Sequence, residues 1–321
     1  MVRIAVLDDY QGVAAEYADW DSLPAQVEFF HEHIADPDEL VRRLAPFEVV
    51  AAMRERTAFP REVLAALPRL RLLVTTGMRN AAIDMVAARE LGVVVSGTGG
   101  GGSDRAWAPT AELTWGLIFA LLRGIPEHDR RIREGGWQQG VGLEVAGRTL
   151  GVLGLGRLGT QVATVGRAFG MDVIAWSHHL TDEAAAAVGA RRVEKEELFA
   201  TSDVLTVHTV LSERTRGLVG AAELALMKPT AYLVNTSRGP VVDEAALQAA
   251  LRAGRLAGAG VDVFSREPLP PDDPWRTTPR TVLTPHVGYV TDGVYRAFYT
   301  DTVESVAAWL RGAPVRVLNA G

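Results

Sequence analysis

The chain has 321 residues, 48% of them apolar and 22% charged, which is ordinary globular usage with room for about two domains. Thirty-three basic residues against thirty-nine acidic ones leave a net charge of −6 with no basic block, arguing against a nucleic-acid binder or a protein held on anionic membranes. Cysteine is absent, which excludes disulfides, thiolate metal sites and thiol nucleophiles and fits a reducing, cytoplasmic setting.

The opening MVRIAVLDDY reaches two aspartates after a short apolar run, so it is not expected to be a secretory leader. Residues 2–7 read as a buried strand, and similar runs recur at 26–30, 48–52 and 70–74. Between them, 36–44, 60–67 and 81–90 read as helices, with Pro60 suited to a first turn. Strand alternating with helix implies a parallel α/β layer, because parallel strands need crossover connections. This first unit runs out in four glycines at 99–102, read as a hinge or a mobile surface loop.

The pattern then restarts. Residues 109–123 read as a helix too apolar all round for a surface element, expected to be buried between domains or between subunits. The longest strongly apolar stretch, 113–122, is about half of the ~20 residues needed to cross a bilayer, so no membrane segment is expected. Strand-like runs follow at 149–153, 172–176, 203–208, 230–235, 256–263 and 281–285, with helices such as 158–169 and 243–253 between them. Six strands with crossovers describe a second doubly wound sheet. The last segment, 292–311, reads as an amphipathic helix with Val303, Val306, Ala307 and Leu310 on one face, able to pack back on the first unit. Beyond the glycines and an alanine cluster at 184–187, no repeat or low-complexity tract appears.

Gly154, Gly156 and Gly159, with Arg157 and Leu158 among them, lie between a strand and a helix. That context turns a common glycine pattern into a dinucleotide signal: one glycine for the tight turn, one for approach of the pyrophosphate, one for packing helix on strand. Helix-terminal N–H groups then face the anion. At the end of the next strand, where a carboxylate for the adenosine ribose is expected, stands Ser177. A neutral serine would not repel a 2′-phosphate, and His178 and His179 could neutralise one, so NAD(H) and NADP(H) both remain open.

Arg238, Glu267 and His286 follow three successive strands and so emerge on one rim of the sheet, where open α/β sheets bind ligands. A guanidinium, a carboxyl and an imidazole can form a carboxylate clamp, a proton donor and the donor's partner. The pairs His31/His33 and His178/His179 bring no carboxylates at ligand spacing, so no metal is expected.

The segments GLGRLG, NTSRGPVVDEAAL, GVDVFSREPLP and TPHVGY, in this order, resemble the D-2-hydroxyacid dehydrogenase family, the D-isomer-specific NAD(P)-dependent oxidoreductases, from about Arg105 to Gly288. The resemblance implies two Rossmann-like doubly wound parallel-sheet domains with an active-site cleft between them. It makes 1–103 plus about 291–321 a discontinuous substrate-binding domain and about 104–290 the NAD(P)-binding domain. It also implies a homodimer through the nucleotide domain. Arg238 would hold the carboxylate of a small 2-keto acid, His286 would give the keto oxygen its proton, and Glu267 would orient His286 and stabilise its positive charge. Cofactor contacts are expected from Thr209, Val210, Thr215, Thr236, Asp262 and Gly288, besides the glycine loop, Ser177 and His178. Asp262 resembles the residue that meets the nicotinamide amide, with Thr110 near that ring. Gly77 and Met78 resemble a loop whose amides bind the substrate carboxylate, and Arg54, beyond a neighbouring strand, is a second anion contact. Val210 stands where many relatives have proline. Nothing follows the long helix, so the regulatory extension of many phosphoglycerate dehydrogenases is not expected. Alternatives on this scaffold are a cofactor-sensing dimer of the corepressor type and formate or phosphite oxidation. Glu267 speaks against formate chemistry, where relatives carry glutamine.

Overall fold

The structure, a computed structural model, describes residues 1–99 and 108–320. It divides into two compact units, Met1–Ala106 with Val290–Gly321, and Trp107–Tyr289. The glycine run read as a hinge lies, beyond Gly99, outside the described residues.

In chain order the first unit contains β1 (Val2–Val6), α1 (Ala14–Tyr17), β2 (Ala25–Phe29), α2 (Pro37–Leu44), β3 (Val49–Ala52), α3 (Arg61–Ala65), β4 (Leu72–Thr75), α4 (Met85–Glu90) and β5 (Val94–Gly97). Aspartates start two of its helices: Asp36 accepts the Glu39 N–H and Asp84 the Ala87 N–H, each at 2.8 Å. The strands form a parallel sheet in the order β2-β1-β3-β4-β5. Strands β3 and β4 are wholly buried, which is why they read as continuous apolar runs rather than alternating ones. The order reverses between β1 and β3, so the loops after them, 7–10 and 53–57, flank a topological switch point.

The second unit contains α5 (Pro109–Leu122), α6 (Ile125–Arg133), β6 (Thr149–Leu153), α7 (Arg157–Ala168), β7 (Asp172–Trp176), α8 (Asp182–Ala187), β8 (Arg191–Arg192), α9 (Lys195–Thr201), β9 (Val204–Val207), α10 (Ala221–Leu226), β10 (Tyr232–Asn235), α11 (Glu244–Arg252), β11 (Gly258–Val261) and β12 (Thr281–Leu283). Its sheet is parallel in the order β12-β11-β10-β9-β6-β7-β8, with its switch point between β6 and β9. Among the described residues it has seven strands rather than six, since two-residue β8 is too short to leave a sequence pattern.

The chain returns to the first unit through α12 (Asp292–Leu310), which lies against α1, β4 and β5. No helix among the described residues is long and apolar enough to cross a membrane.

Several sequence readings are corrected. Helix α5 is consumed inside its own unit: Trp115, Leu117, Ile118 and Leu122 are buried against α7 and strands β10 to β12, and Leu113, Phe119 and Leu121 pack on the same cluster. Its all-round apolarity therefore needs neither a domain boundary nor a subunit interface. In α12 the buried side includes Tyr295, Phe298, Tyr299, Thr302, Ser305 and Val306, whereas Val303, Ala307 and Leu310 are half-buried. Its polar members are satisfied, Thr302 by the Phe298 carbonyl and Ser305 by Arg316, so polarity misdirected the choice of face. Pro60 caps α3 from outside instead of occupying its first turn, and the helix expected from residue 81 begins at Met85 because Asp84 caps it.

Candidate active site

At the turn after β6, Gly154 adopts φ +102°, and a side chain there would press on the His208 carbonyl carbon at 2.8 Å. A Cβ on Gly159 would stand 2.1 Å from the Gly154 carbonyl oxygen, whereas one on Gly156 would meet nothing within 4 Å. Thus Gly154 and Gly159 are demanded by the protein's own packing, and Gly156 leaves open the face toward which α7 begins. That helix starts without a side-chain cap, and its first turn, at Arg157 and Leu158, presents the positive end of the helix to an anion. This cradle fits a dinucleotide pyrophosphate.

Ser177 ends β7's extension, but its hydroxyl accepts the Leu155 N–H at 2.9 Å and so braces the glycine loop. His178 is exposed and packs at a tilt against Trp176, with ring centroids 4.9 Å apart and planes at 59°. Across the switch point, Val210 is 80% exposed. The Thr215 hydroxyl bonds the Val210 carbonyl at 2.6 Å and so holds the turn. Thr209 is half-buried, and its carbonyl accepts the Ser237 hydroxyl.

His208, which the sequence reading passed over, is half-buried as a residue, yet both ring nitrogens are shut from solvent without a hydrogen-bond partner. Burial pushes its pKa down from 6.5 to about 4. The unfolded chain therefore binds a proton through the window from about pH 6.5 to 4 that the folded chain refuses. Stability falls as pH drops through that window, by about 3 kcal/mol in all. Urea midpoints of His208→Gln are expected to change less than wild type between pH 7 and pH about 4.5; equal changes would refute this assignment.

The same carboxyl rim of the sheet, beyond β10, β11 and β12, carries Arg238, Glu267 and His286. The Asn235 side chain brackets the turn after β10, accepting the Ser237 N–H at 3.0 Å and donating to the Arg238 carbonyl at 3.1 Å. Arg238 is half-buried, and its guanidinium donates to the Ser237 carbonyl at 2.8 Å. Gly239 brings this turn against the chain after β11, since a Cβ there would lie 2.2 Å from the Phe264 carbonyl carbon.

Glu267 uses its two oxygens separately: one accepts the Phe264 N–H at 2.8 Å and the other meets His286 Nδ1 at 2.5 Å. Nε2 is therefore the ring nitrogen left to act on a ligand. His286 sits at φ +53°, a left-handed conformation costly for a residue with a side chain. Its N–H is shared by the Asp262 carbonyl at 2.7 Å and the Thr284 carbonyl at 3.0 Å. The Asp262 carboxylate then accepts from Thr284 Oγ1, Val287 N and Gly288 N at 2.6, 2.9 and 3.0 Å. Burial pushes its pKa up. Expected as a cofactor contact, Asp262 is first of all the anchor of the His286 loop. Thr110 Oγ1 donates to the Gly288 carbonyl at 3.0 Å, and Thr114 joins the Thr110 carbonyl and Thr236 Oγ1, each at 2.8 Å. A line of hydroxyls thus ties the start of α5 to the ends of β10 and β12.

In the first unit, Arg54 follows β3 with φ +53°, and Gly77 follows β4 with φ +92°. They meet: a Cβ on Gly77 would stand 2.2 Å from Arg54 Nη1. The Arg54 N–H donates to Thr76 Oγ1 at 2.8 Å, and its guanidinium lies 3.7 Å from Glu55. Met78 is exposed. The Gly77 N–H donates to Thr98 Oγ1 at 2.7 Å. Among the described residues no three His, Cys, Asp or Glu side chains gather as a metal site.

Comparison with known proteins gives a consistent result. Residues 115–288 match the family model for the NAD binding domain of D-isomer specific 2-hydroxyacid dehydrogenases. The chain is 38% identical over 268 residues to the glyoxylate reductase of Aeropyrum pernix, covering 80% of this chain and 79% of that protein. It is 36% identical over 281 residues to the D-3-phosphoglycerate dehydrogenase of Archaeoglobus fulgidus, covering 87% of this chain and 52% of that one. It thus spans about half the length of such phosphoglycerate dehydrogenases. Among solved structures, a putative D-3-phosphoglycerate dehydrogenase from Ralstonia solanacearum superimposes with a TM-score of 0.91 at 36% identity, covering 99% of this chain and 97% of that one.

Proposed function

This chain belongs to the D-isomer specific 2-hydroxyacid dehydrogenase family, and from that premise we propose that it reversibly reduces a small 2-keto acid to the D-2-hydroxy acid. The observation that carries the reading is the 2.5 Å bond between Glu267 and His286 Nδ1, at a strand-end rim of the sheet that also bears the glycine loop. A bound nicotinamide supplies hydride to the carbonyl carbon. Gly154, Gly156, Gly159 and the first turn of α7 would hold its pyrophosphate, and Thr209, Val210, Thr236 and Gly288 would supply further contacts. Arg238 binds the substrate carboxylate and draws charge toward the keto oxygen. As that oxygen becomes an alkoxide, His286 gives it the Nε2 proton, and Glu267 stabilises the imidazolium before and orients the imidazole after. In the oxidative direction the same nitrogen takes the proton back. The first unit with its returning helix serves as the substrate-binding domain, with Arg54 as its anion contact.

Ser177 carries no charge to repel a 2′-phosphate and His178 stands exposed beside it, so the cofactor is NAD(H) or NADP(H), undecided between them. Exposed Ile125, Ile132, Trp137 and Val141, the last two 75% and 96% accessible, support a homodimer through this nucleotide unit. The absence of cysteine suits work in the cytoplasm. The test is a panel of glyoxylate, pyruvate, hydroxypyruvate and bulkier keto acids with each reduced cofactor, read by loss of reduced-nicotinamide absorbance. Turnover of at least one small 2-keto acid is expected; uniform inactivity overturns the reading.

A further inference from the structure

The backbone of His286 is fixed from several sides, but its ring has one hydrogen bond at Nδ1 to Glu267. A ring held at one corner can still swing about that contact, carrying Nε2 away from any bound oxygen. The ring of Tyr289 stands against it, with centroids 5.4 Å apart and planes at 84°. This perpendicular packing is favourable between aromatic rings and resists the swing.

The contact is built by the turn between the two residues. The Asp262 carboxylate captures the N–H groups of Val287 and Gly288, and Thr110 Oγ1 donates to the Gly288 carbonyl. Gly288 has little room for a side chain, since a Cβ would lie 3.1 Å from both Asp262 Oδ2 and Thr110 Cγ2. The turn is thereby compact, and the residue that leaves it comes back onto the imidazole.

We propose that Tyr289 is a positioning residue whose ring fixes the plane of His286 and so the direction of its proton-donating Nε2. This rests on His286 being the proton donor proposed above. The role belongs to the ring, so phenylalanine preserves it and leucine does not.

The test compares wild type, Tyr289→Leu, Tyr289→Phe and His286→Asn with a small 2-keto acid, alongside NMR of histidine labelled with ¹³C at Cε1. Leucine is expected to lower kcat about tenfold, with keto-acid KM and dinucleotide Kd within about twofold of wild type. Phenylalanine restores kcat, and the His286 ring signal, identified by its loss in His286→Asn, broadens or splits in the leucine variant alone. A leucine variant with wild-type kcat and an unchanged signal overturns the proposal. So does a loss shared by both Tyr289 variants with a raised KM, which marks general disruption. If wild type reduces no keto acid, the functional reading fails by itself, and the ring signal still decides whether Tyr289 orders His286.

Discussion

Replacing His286 by asparagine is expected to lower kcat for keto-acid reduction by about 10²–10⁴-fold, the contribution of a positioned acid. Dinucleotide affinity, read by quenching of tryptophan fluorescence, should stay within about twofold of wild type, since no binding contact is removed. The size of the effect follows from the bonding. Glu267 occupies Nδ1 and is itself held by the Phe264 N–H, so the pair presents Nε2 alone as the proton donor. Asparagine keeps a polar group near this place but cannot cycle a proton near neutral pH. Glu267→Gln keeps the shape and loses the charge, so it should lie between the two. Equal activity of wild type and His286→Asn would remove proton transfer by this side chain from the mechanism.

Arg238→Gln should lower kcat/KM by about 10²–10³-fold, as expected when a charged donor to substrate and developing oxyanion is lost. Lysine should recover little, because a point charge does not reproduce the planar fork of a guanidinium. The turn that carries Arg238 is set by Asn235 and by the approach of Gly239 to Phe264, neither of which depends on the arginine side chain. The variants should therefore unfold at the wild-type temperature within a few degrees. A raised KM for the keto acid with an unchanged KM for the dinucleotide is the signature sought; the reverse pattern would reassign Arg238 to the cofactor.

The parallel layers and the glycine loop were legible because each rests on a local rule. Buried parallel strands must be apolar on both faces, and Gly159 must lack a side chain where its Cβ would lie 2.1 Å from a carbonyl oxygen. The approach of Glu267 to His286 was legible from strand order, since both leave neighbouring parallel strands at the same edge. What escaped depends on contacts that no period or motif encodes. Helix α5 read as an interface because apolarity all round says only that it is covered, not by what. The buried face of α12 was missed because Thr302 and Ser305 find internal partners. Asp262 as the anchor of a loop, Tyr289 against the imidazole and the enclosed ring of His208 all come from how loops fold back after their strands end. The bond by which the Ser177 hydroxyl takes the Leu155 N–H of the glycine loop belongs with these.

The most direct measurement of the central claim is a single turnover in a rapid-mixing instrument, with enzyme loaded with reduced dinucleotide and mixed with excess keto acid. Wild type should oxidise its bound nicotinamide in one fast phase, and His286→Asn should bind the same amount of dinucleotide yet oxidise it at least about 10²-fold more slowly. Equal rates in the two proteins would contradict the account.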